Sequence, residues 1–224
     1  VKNKKKELIA FLSNLISENR RKKFDEVLNY RTKHISVVLE DIYQSHNASA
    51  VLRSCDIFGI QNIHVIENRN TYTINPDVAL GSAKWLSLHK YKKNDNNTLI
   101  CLNNLKEKGY KIVATSPYEK YSTLDELSIK QPLALVFGTE LTGISDTAIN
   151  NADEFVRIPM YGFTESFNIS VCAALCLHTL VNKLHKSDIN WKISEDEKDE
   201  IVLQWLKTSI KKSDIIEKEF LSKM

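Results

Sequence analysis

Two loops carry the residues best placed to do chemistry, and each follows a short apolar run. LALVF (residues 133–137) stops at Gly138, and Thr139, Glu140, Leu141 and Thr142 lead to a second glycine, Gly143, with Ser145 placed to cap a helix. FVRI (155–158) is halted by Pro159, and a loop through Gly162 runs to Ser166. Two strand-to-loop-to-helix transitions so close in sequence bring polar loop residues together at one sheet edge, where open α/β sheets bind ligands. The chain has six glycines, and none forms G-x-G-x-x-G or G-x-x-x-x-G-K-[ST]. A dinucleotide fingerprint and a P-loop are therefore both disfavoured. A small ligand at 138–145 and 158–168 is expected to be held by loop backbone groups and not by a phosphate cradle.

The elements that must position these loops follow from periodicity. ISVVLED (35–41) is β-branched and continuously apolar, as an interior parallel strand is. Asn47 is placed to N-cap the next helix, whose buried face is Ala48, Val51, Leu52, Cys55 and Phe58 and whose end is Gly59. Arg53 falls off that face, exposed or directed into a cleft. NIHVIE (62–67), KWLSLHKY (84–91, more exposed) and YKIVATS (110–116) read as further strands, with a helix around Leu99, Leu102 and Leu105. Residues 68–82 and 118–132 read as connectors, and Phe167–Leu180 as a buried helix. Strand–helix alternation argues for a sheet covered on both faces.

At 224 residues and 42% apolar content the chain can fill one medium domain with extensions. No apolar run reaches the roughly 18 to 20 residues of a membrane span, and no leader-like apolar stretch follows the basic start. Cys55, Cys101, Cys172 and Cys176 include no C-x-x-C pair and no zinc spacing; reduced packing thiols in a cytoplasmic protein without a metal are expected. The net charge of +3 is uneven: residues 1–33 hold ten Lys/Arg against four Asp/Glu, whereas 34–181 hold twelve against fifteen. The excess sits in an arm that includes Arg20, Arg21, Lys22 and Lys23, the footprint of phosphate-backbone binding. Charge alone leaves a solvated helix face equally open. Leu8, Phe11, Leu12, Leu15 and Ile16 set a helix over 5–18, Phe24, Val27 and Leu28 a second one, and 191–224 is again helical. The resulting division is 1–33 (basic helical extension), 34–185 (α/β domain) and 186–224 (helical extension).

Three stretches taken together resemble a known family. NASAVLR (47–53), FGTELTGIS (137–145) and IPMYGFTESFNISV (158–171) are similar to the three motifs of SpoU-type methyltransferases, members of the SPOUT superfamily of RNA 2′-O-ribose methylases. All three occur in the family's order. The resemblance implies an α/β-knot fold: a parallel sheet with helices on both faces and a C-terminal trefoil knot. It also implies S-adenosylmethionine as cofactor, a homodimer, and a site completed near the subunit interface. Arg53 matches the arginine proposed to act at the ribose hydroxyl, and Asn47 the asparagine that supports the site. Glu140, Ser166 and Asn168 match polar residues of the second and third motifs. Cofactor contacts fall on Thr115, Gly138, Ile158 and Phe167, the last standing where the family often has Leu.

Each assignment has a plainer counterpart. Arg53 could be a surface arginine, Glu140 a loop carboxylate near a helix start, and Ser166 and Asn168 could cap the last helix. His46 and His178 are expected to be structural. Within the family, short basic helices in place of a globular N-terminal domain resemble the branch that methylates guanosine-18 in the tRNA D-loop. Lys183, Lys186, Lys211 and Lys212 would extend the tRNA footprint. Methylation of ribosomal RNA or another tRNA position is the alternative, followed by a non-catalytic RNA-binding paralogue.

Overall fold

The computed structural model describes residues 2–116, 121–139 and 142–222. Two compact units divide the chain: residues 32–191, and the terminal segments 1–31 and 192–224 together. In chain order the elements begin with α1 (Lys2–Ser13) and α2 (Glu18–Leu28). The α/β unit follows with β1 (Ile35–Glu40), α3 (Ser45–Ile57), β2 (Asn62–Ile66), α4 (Pro76–Ala79), a 3-10 turn at Ser82–Trp85 and β3 (Ser87–Tyr91). It continues with α5 (Asn97–Glu107), β4 (Lys111–Thr115), β5 (Ser122–Thr123), β6 (Leu133–Phe137), α6 (Asp146–Asn151), β7 (Glu154–Arg157) and α7 (Ile169–His185). Two further helices, α8 (Glu195–Ser209) and α9 (Ser213–Ser222), close the chain.

Seven strands pair in the order β3-β2-β1-β6-β4-β7-β5, and every pairing is parallel. Every residue of β1 and β6 is buried, the burial that their unbroken apolar runs anticipate for central parallel strands. Alternation then sorts side chains between two cores. Ile35, Val37 and Leu39 of β1 join Val51, Leu52 and Cys55 of α3 and Ala173, Leu177 and Leu180 of α7. Val38 faces the opposite layer, with Cys101, Leu102 and Leu105 of α5 and Ala148 of α6. Although it comes late in sequence, β6 lies between β1 and β4, so β4, β6 and β7 end side by side at one edge.

Local chemistry sets the helix ends with some differences from periodicity. At α3 the N-cap is Gln44, without a side-chain cap bond, and Asn47 lies inside the first turn, its amide engaged by Gln44 and Asn168. The helix carrying Arg20–Lys23 starts at Glu18, because Ser17 accepts a hydrogen bond from the Arg20 amide at 3.3 Å. α7 starts at Ile169 behind its Asn168 cap and runs on to His185, with Lys183 and His185 in its last turn. The connectors contain α4 and the two-residue β5, both too short to give a periodic signal.

The terminal unit has its own aromatic centre. Trp205 of α8 is buried, meets Phe24 edge-on at 5.2 Å, and lies under the Arg31 guanidinium at 5.4 Å. Phe11 and Phe220 stack at 4.6 Å, and α8 opens with a capping box between Ser194 and Glu197. The first and last segments, separate in sequence, thus share one core.

His64 of β2 stacks on His89 of β3 at 4.7 Å, with its Nδ1 3.2 Å from the Tyr91 hydroxyl. Burial, with repulsion from His89 and Lys108, pushes its pKa down to about 3. The folded imidazole is neutral while the unfolded one takes a proton below about 6.5. The unfolded state therefore binds more protons in that window, and stability falls as pH drops. We expect about 2 kcal/mol to be lost through His64 between pH 7 and pH 5. Denaturant melts should show this slope, and His64→Leu should flatten it; an unchanged slope would assign it to other groups.

Candidate active site

β6 runs directly into the first loop, and the loop closes on itself immediately. A Cβ built on Gly138 would stand 2.2 Å from the carbonyl carbon and oxygen of Gly143 and 2.4 Å from the Ile144 nitrogen. Thr139 N–H donates to the Gly143 carbonyl at 2.9 Å, and Gly143 N–H returns a bond to the Thr139 carbonyl at 3.0 Å. The Thr142 amide donates to Thr139 Oγ1 at 3.1 Å. Gly143 has φ +68°, the left-handed region that glycine enters without a Cβ penalty. Each glycine therefore answers a different need: close approach at Gly138, backbone hand at Gly143.

Beside this turn lies a pocket of about 410 Å³, within the range of small-molecule and cofactor sites. Thr115 and Ser116 contribute from the end of β4, Phe137 from the end of β6, and Gly138, Thr139, Gly143 and Ile144 from the first loop. Ile158, Met160, Glu165, Ser166 and Phe167 contribute from the second loop, and Cys172 and Cys176 from α7. Thr115 Oγ1 donates to the Val136 carbonyl at 3.0 Å, holding β4 to β6 at the mouth. A hydrogen bond from Cys176 holds the Cys172 thiol below its ordinary range. The four residues expected at a cofactor, Thr115, Gly138, Ile158 and Phe167, all line this pocket, as does Ser166.

A second constellation joins the starts of α3 and α7. Asn47 is buried; its Nδ2 donates to Gln44 Oε1 at 3.0 Å, and its Oδ1 accepts from Asn168 Nδ2 at 3.1 Å. Asn168 Oδ1 accepts from the Ser170 amide at 2.9 Å and the Ser170 hydroxyl at 2.6 Å. Asn168 thus caps α7 and reaches across to Asn47 with the same side chain. Arg53, further along α3, is exposed and does not line the pocket. Glu140 lies outside the described residues.

The basic residues are distributed differently. Arg20, Arg21, Lys22 and Lys23 are all exposed on α2, within the terminal unit. Lys22 pairs with Glu18 at 2.8 Å and Lys23 with Glu26 at 2.9 Å, surface pairs of small energetic weight. The Lys183 ammonium donates to the Asp125 and Leu127 carbonyls at 2.6 and 2.7 Å. Sequence reading passed over Arg157, which lines the pocket while its Nε donates to the Tyr121 carbonyl at 3.0 Å. A charged residue within the short run FVRI was the available signal. Among the described residues, no three His, Cys, Asp or Glu side chains converge on a metal-sized site, all four cysteines are free thiols, and no helix is long and apolar enough to cross a membrane.

A parallel sheet whose central strands end in a glycine-closed turn, beside a pocket roofed by a second loop and a buried helix, is the architecture of the SpoU methylases. Residues 34–178 match the model of the SpoU rRNA Methylase family, and the chain belongs to it. It is 44% identical over 209 residues to the tRNA (guanosine(18)-2′-O)-methyltransferase of Borreliella burgdorferi, covering 93% of this chain and 94% of that one. The crystal structure of the A. aeolicus TrmH/SpoU tRNA modifying enzyme matches with a TM-score of 0.77 and 30% identity, over 87% of this chain and 98% of that one. The SpoU methyltransferase AviRb from Streptomyces viridochromogenes, solved in complex with AdoMet, shares the fold with a TM-score of 0.59 at 19% identity, over 72% and 62% of the two chains.

The two glycines should respond differently to substitution. Gly143→Ala is expected to cost about 1 kcal/mol of stability from its left-handed backbone alone. Gly138→Ala must move backbone, because no side chain can yield there. Hydrogen exchange at the Thr139 and Gly143 amides should therefore accelerate far more in Gly138→Ala; equal protection in both variants would show that the turn absorbs a Cβ.

Proposed function

We propose that this protein transfers the methyl group of S-adenosylmethionine to the ribose 2′-hydroxyl of guanosine-18 in tRNA. The observation that carries the reading is the 44% identity, over nearly the whole of both chains, to an enzyme with that activity. The pocket fits the cofactor by its own chemistry. Its floor is a turn of backbone amides and carbonyls that a Cβ would obstruct, its walls include the apolar Ile144, Ile158 and Phe167, and no lysine is among its described lining residues. The AdoMet held by AviRb, a protein of the same fold, supports the assignment. Threading of the segment from β6 to α7 as a trefoil knot is part of the proposal, and the late insertion of β6 between β1 and β4 agrees with it.

When bound, the cofactor supplies a methyl on a sulfonium whose positive charge disperses as the methyl leaves, so catalysis rests largely on positioning. Gly138, Thr139 and Ile158 would hold it through backbone groups, Phe167 through its ring and Thr115 at the strand end. The 2′-hydroxyl is a weak nucleophile until it loses its proton. Arg53 is a poor base, because a guanidinium offers five N–H donors and no acceptor. Its role is to bind the neighbouring phosphate with its planar fork and orient the hydroxyl, with deprotonation late in the displacement. The Asn47–Asn168 bond fixes the start of the helix that carries Arg53. Glu140 and Ser166 would complete the polar surround of the ribose.

A second copy of the chain would complete the site. α7 buries one face in the core yet leaves Val171 and Leu175 exposed, with Phe167 just before it, so a second apolar stripe remains uncovered. A helix apolar on two faces calls for a second partner. For the tRNA backbone, Arg20 and Arg21 stand in the first turn of α2, where cations oppose the helix macrodipole. Helix stability gains nothing from them there, which favours a role in phosphate binding. Ribosomal RNA is the second reading, favoured by the family's description as rRNA methylases.

The deciding experiment is transfer of labelled methyl from S-adenosylmethionine to unmodified tRNA transcripts with guanosine-18 present or replaced. Label on that ribose, lost on replacement, is expected; label that survives, or appears only on ribosomal RNA, moves the target. Arg53→Lys should lower kcat on the order of 100-fold while leaving cofactor affinity intact, and near-full turnover would show the planar fork to be dispensable. Leu175→Asp should convert a dimer to an inactive monomer in light scattering; a wild-type monomer would remove the dimer from the proposal.

A further inference from the structure

One buried carboxylate is left unused by this mechanism. Glu40 ends β1, a strand otherwise made of ISVVL, and is only 2% exposed. A carboxylate in such a place is costly unless its oxygens are filled by donors. Three donors fill them. Ser145 N–H donates to Oε2 at 2.9 Å, the Ser145 hydroxyl to Oε1 at 2.7 Å, and the Thr98 hydroxyl to Oε1 at 2.6 Å. Ser145 is also the N-cap of α6, accepting from the Ala148 amide at 3.2 Å. Behind Thr98 the network continues: Asn68 Nδ2 donates to Thr98 Oγ1 at 2.9 Å, and the Asn68 amide donates to Asp41 Oδ1 at 2.6 Å. Glu40, at the end of β1, is thereby held by Thr98 of α5, which Asn68 supports from behind, and it holds Ser145.

Ser145 is where the 138–145 loop ends. One end of that loop is anchored by the central strand β6; the other is anchored by this clamp, with Gly143 and Ile144 of the pocket directly before it. We infer that Glu40 is a positioning residue: its carboxylate grips both donors of Ser145 and so presets Gly143 and Ile144, on the pocket wall directly before it, in the shape that receives the cofactor. The inference rests on the reading of the pocket as the S-adenosylmethionine site. The grip needs a carboxylate specifically, because glutamine would turn an NH₂ donor toward one of three donors. A loop that is not preset must be ordered by the ligand, which lowers apparent affinity by the fraction of time the competent shape is populated.

The test is calorimetric titration of S-adenosylmethionine into the full-length wild type, Glu40→Gln, Ser145→Ala and the double variant, with hydrogen exchange of the free proteins. Glu40→Gln is expected to weaken cofactor binding about tenfold, the effect of losing roughly 1.4 kcal/mol from a charge-assisted contact. It should raise KM for the cofactor with kcat at saturation retained, leave tRNA affinity unchanged, and speed exchange at Thr139 and Gly143. Because Glu40 acts through Ser145, the double variant should be no worse than Glu40→Gln alone, a non-additivity that general destabilisation does not produce. Cofactor affinity and loop exchange at wild-type levels in Glu40→Gln would overturn the inference, as would full additivity. If Glu40→Gln does not fold, Ser145→Ala carries the same comparison. A wild type that binds no S-adenosylmethionine would defeat the reading of the pocket, while loop exchange would still judge the clamp.

Discussion

The backbone of Gly138 touches the backbone of Gly143, and the architecture of the site depends on that contact. No side chain fits between them, so β6 can leave the sheet only through a turn that folds back on its own peptide groups. Because β6 is central, flanked by β1 and β4, the turn emerges in the middle of the sheet edge and not at its rim. The second loop and the start of α7 then have a fixed wall against which to form a pocket. Parallel pairing matters equally: it brings the ends of β4, β6 and β7 to the same edge, so loops distant in sequence share one space.

Polar groups near this edge serve the fold and the site at once. Asn168 caps α7 and bonds to Asn47, which ties the third motif to the first across 121 residues. Ser145 caps α6 and is gripped by Glu40, which ties the second motif to the strand before the first. Such bonds are worth most where water is excluded, and both Asn47 and Glu40 are buried. Capping and function are therefore not competing accounts of these residues. A side chain that must hold a helix end in one place is well suited to hold a ligand-binding loop there too.

The terminal unit follows a different logic. Its core sets aromatic contacts around Trp205 among buried aliphatics such as Leu8, Leu12 and Leu206, and its surface carries the basic run of α2 in a place that helix stability does not reward. Much of the α/β unit was readable beforehand. Six strands announced themselves as apolar or alternating runs, and glycines and proline marked their ends. The three motifs located the pocket walls because their residues are drawn from loops that follow those strands. Short elements escaped: α4 and β5 span less than one period of any pattern. Asn47 looked like a cap because its type and position suit one, yet a tertiary partner, Asn168, had the stronger claim.

Local pattern was sufficient for the strands, most helices, the two loops that follow β6 and β7 and the separation of a basic arm from a near-neutral body, since each depends on residues within a few positions of one another. Strand order, the pairing of Asn47 with Asn168, the burial of Glu40 beneath Ser145 and the joining of the two terminal segments into one core depend on contacts across tens to more than a hundred residues. Periodicity carries no information at that range. A glutamate at the end of an apolar strand reads as the strand's exit into water; once β6 and α6 pack beside it, water is gone and the carboxylate must be satisfied by protein.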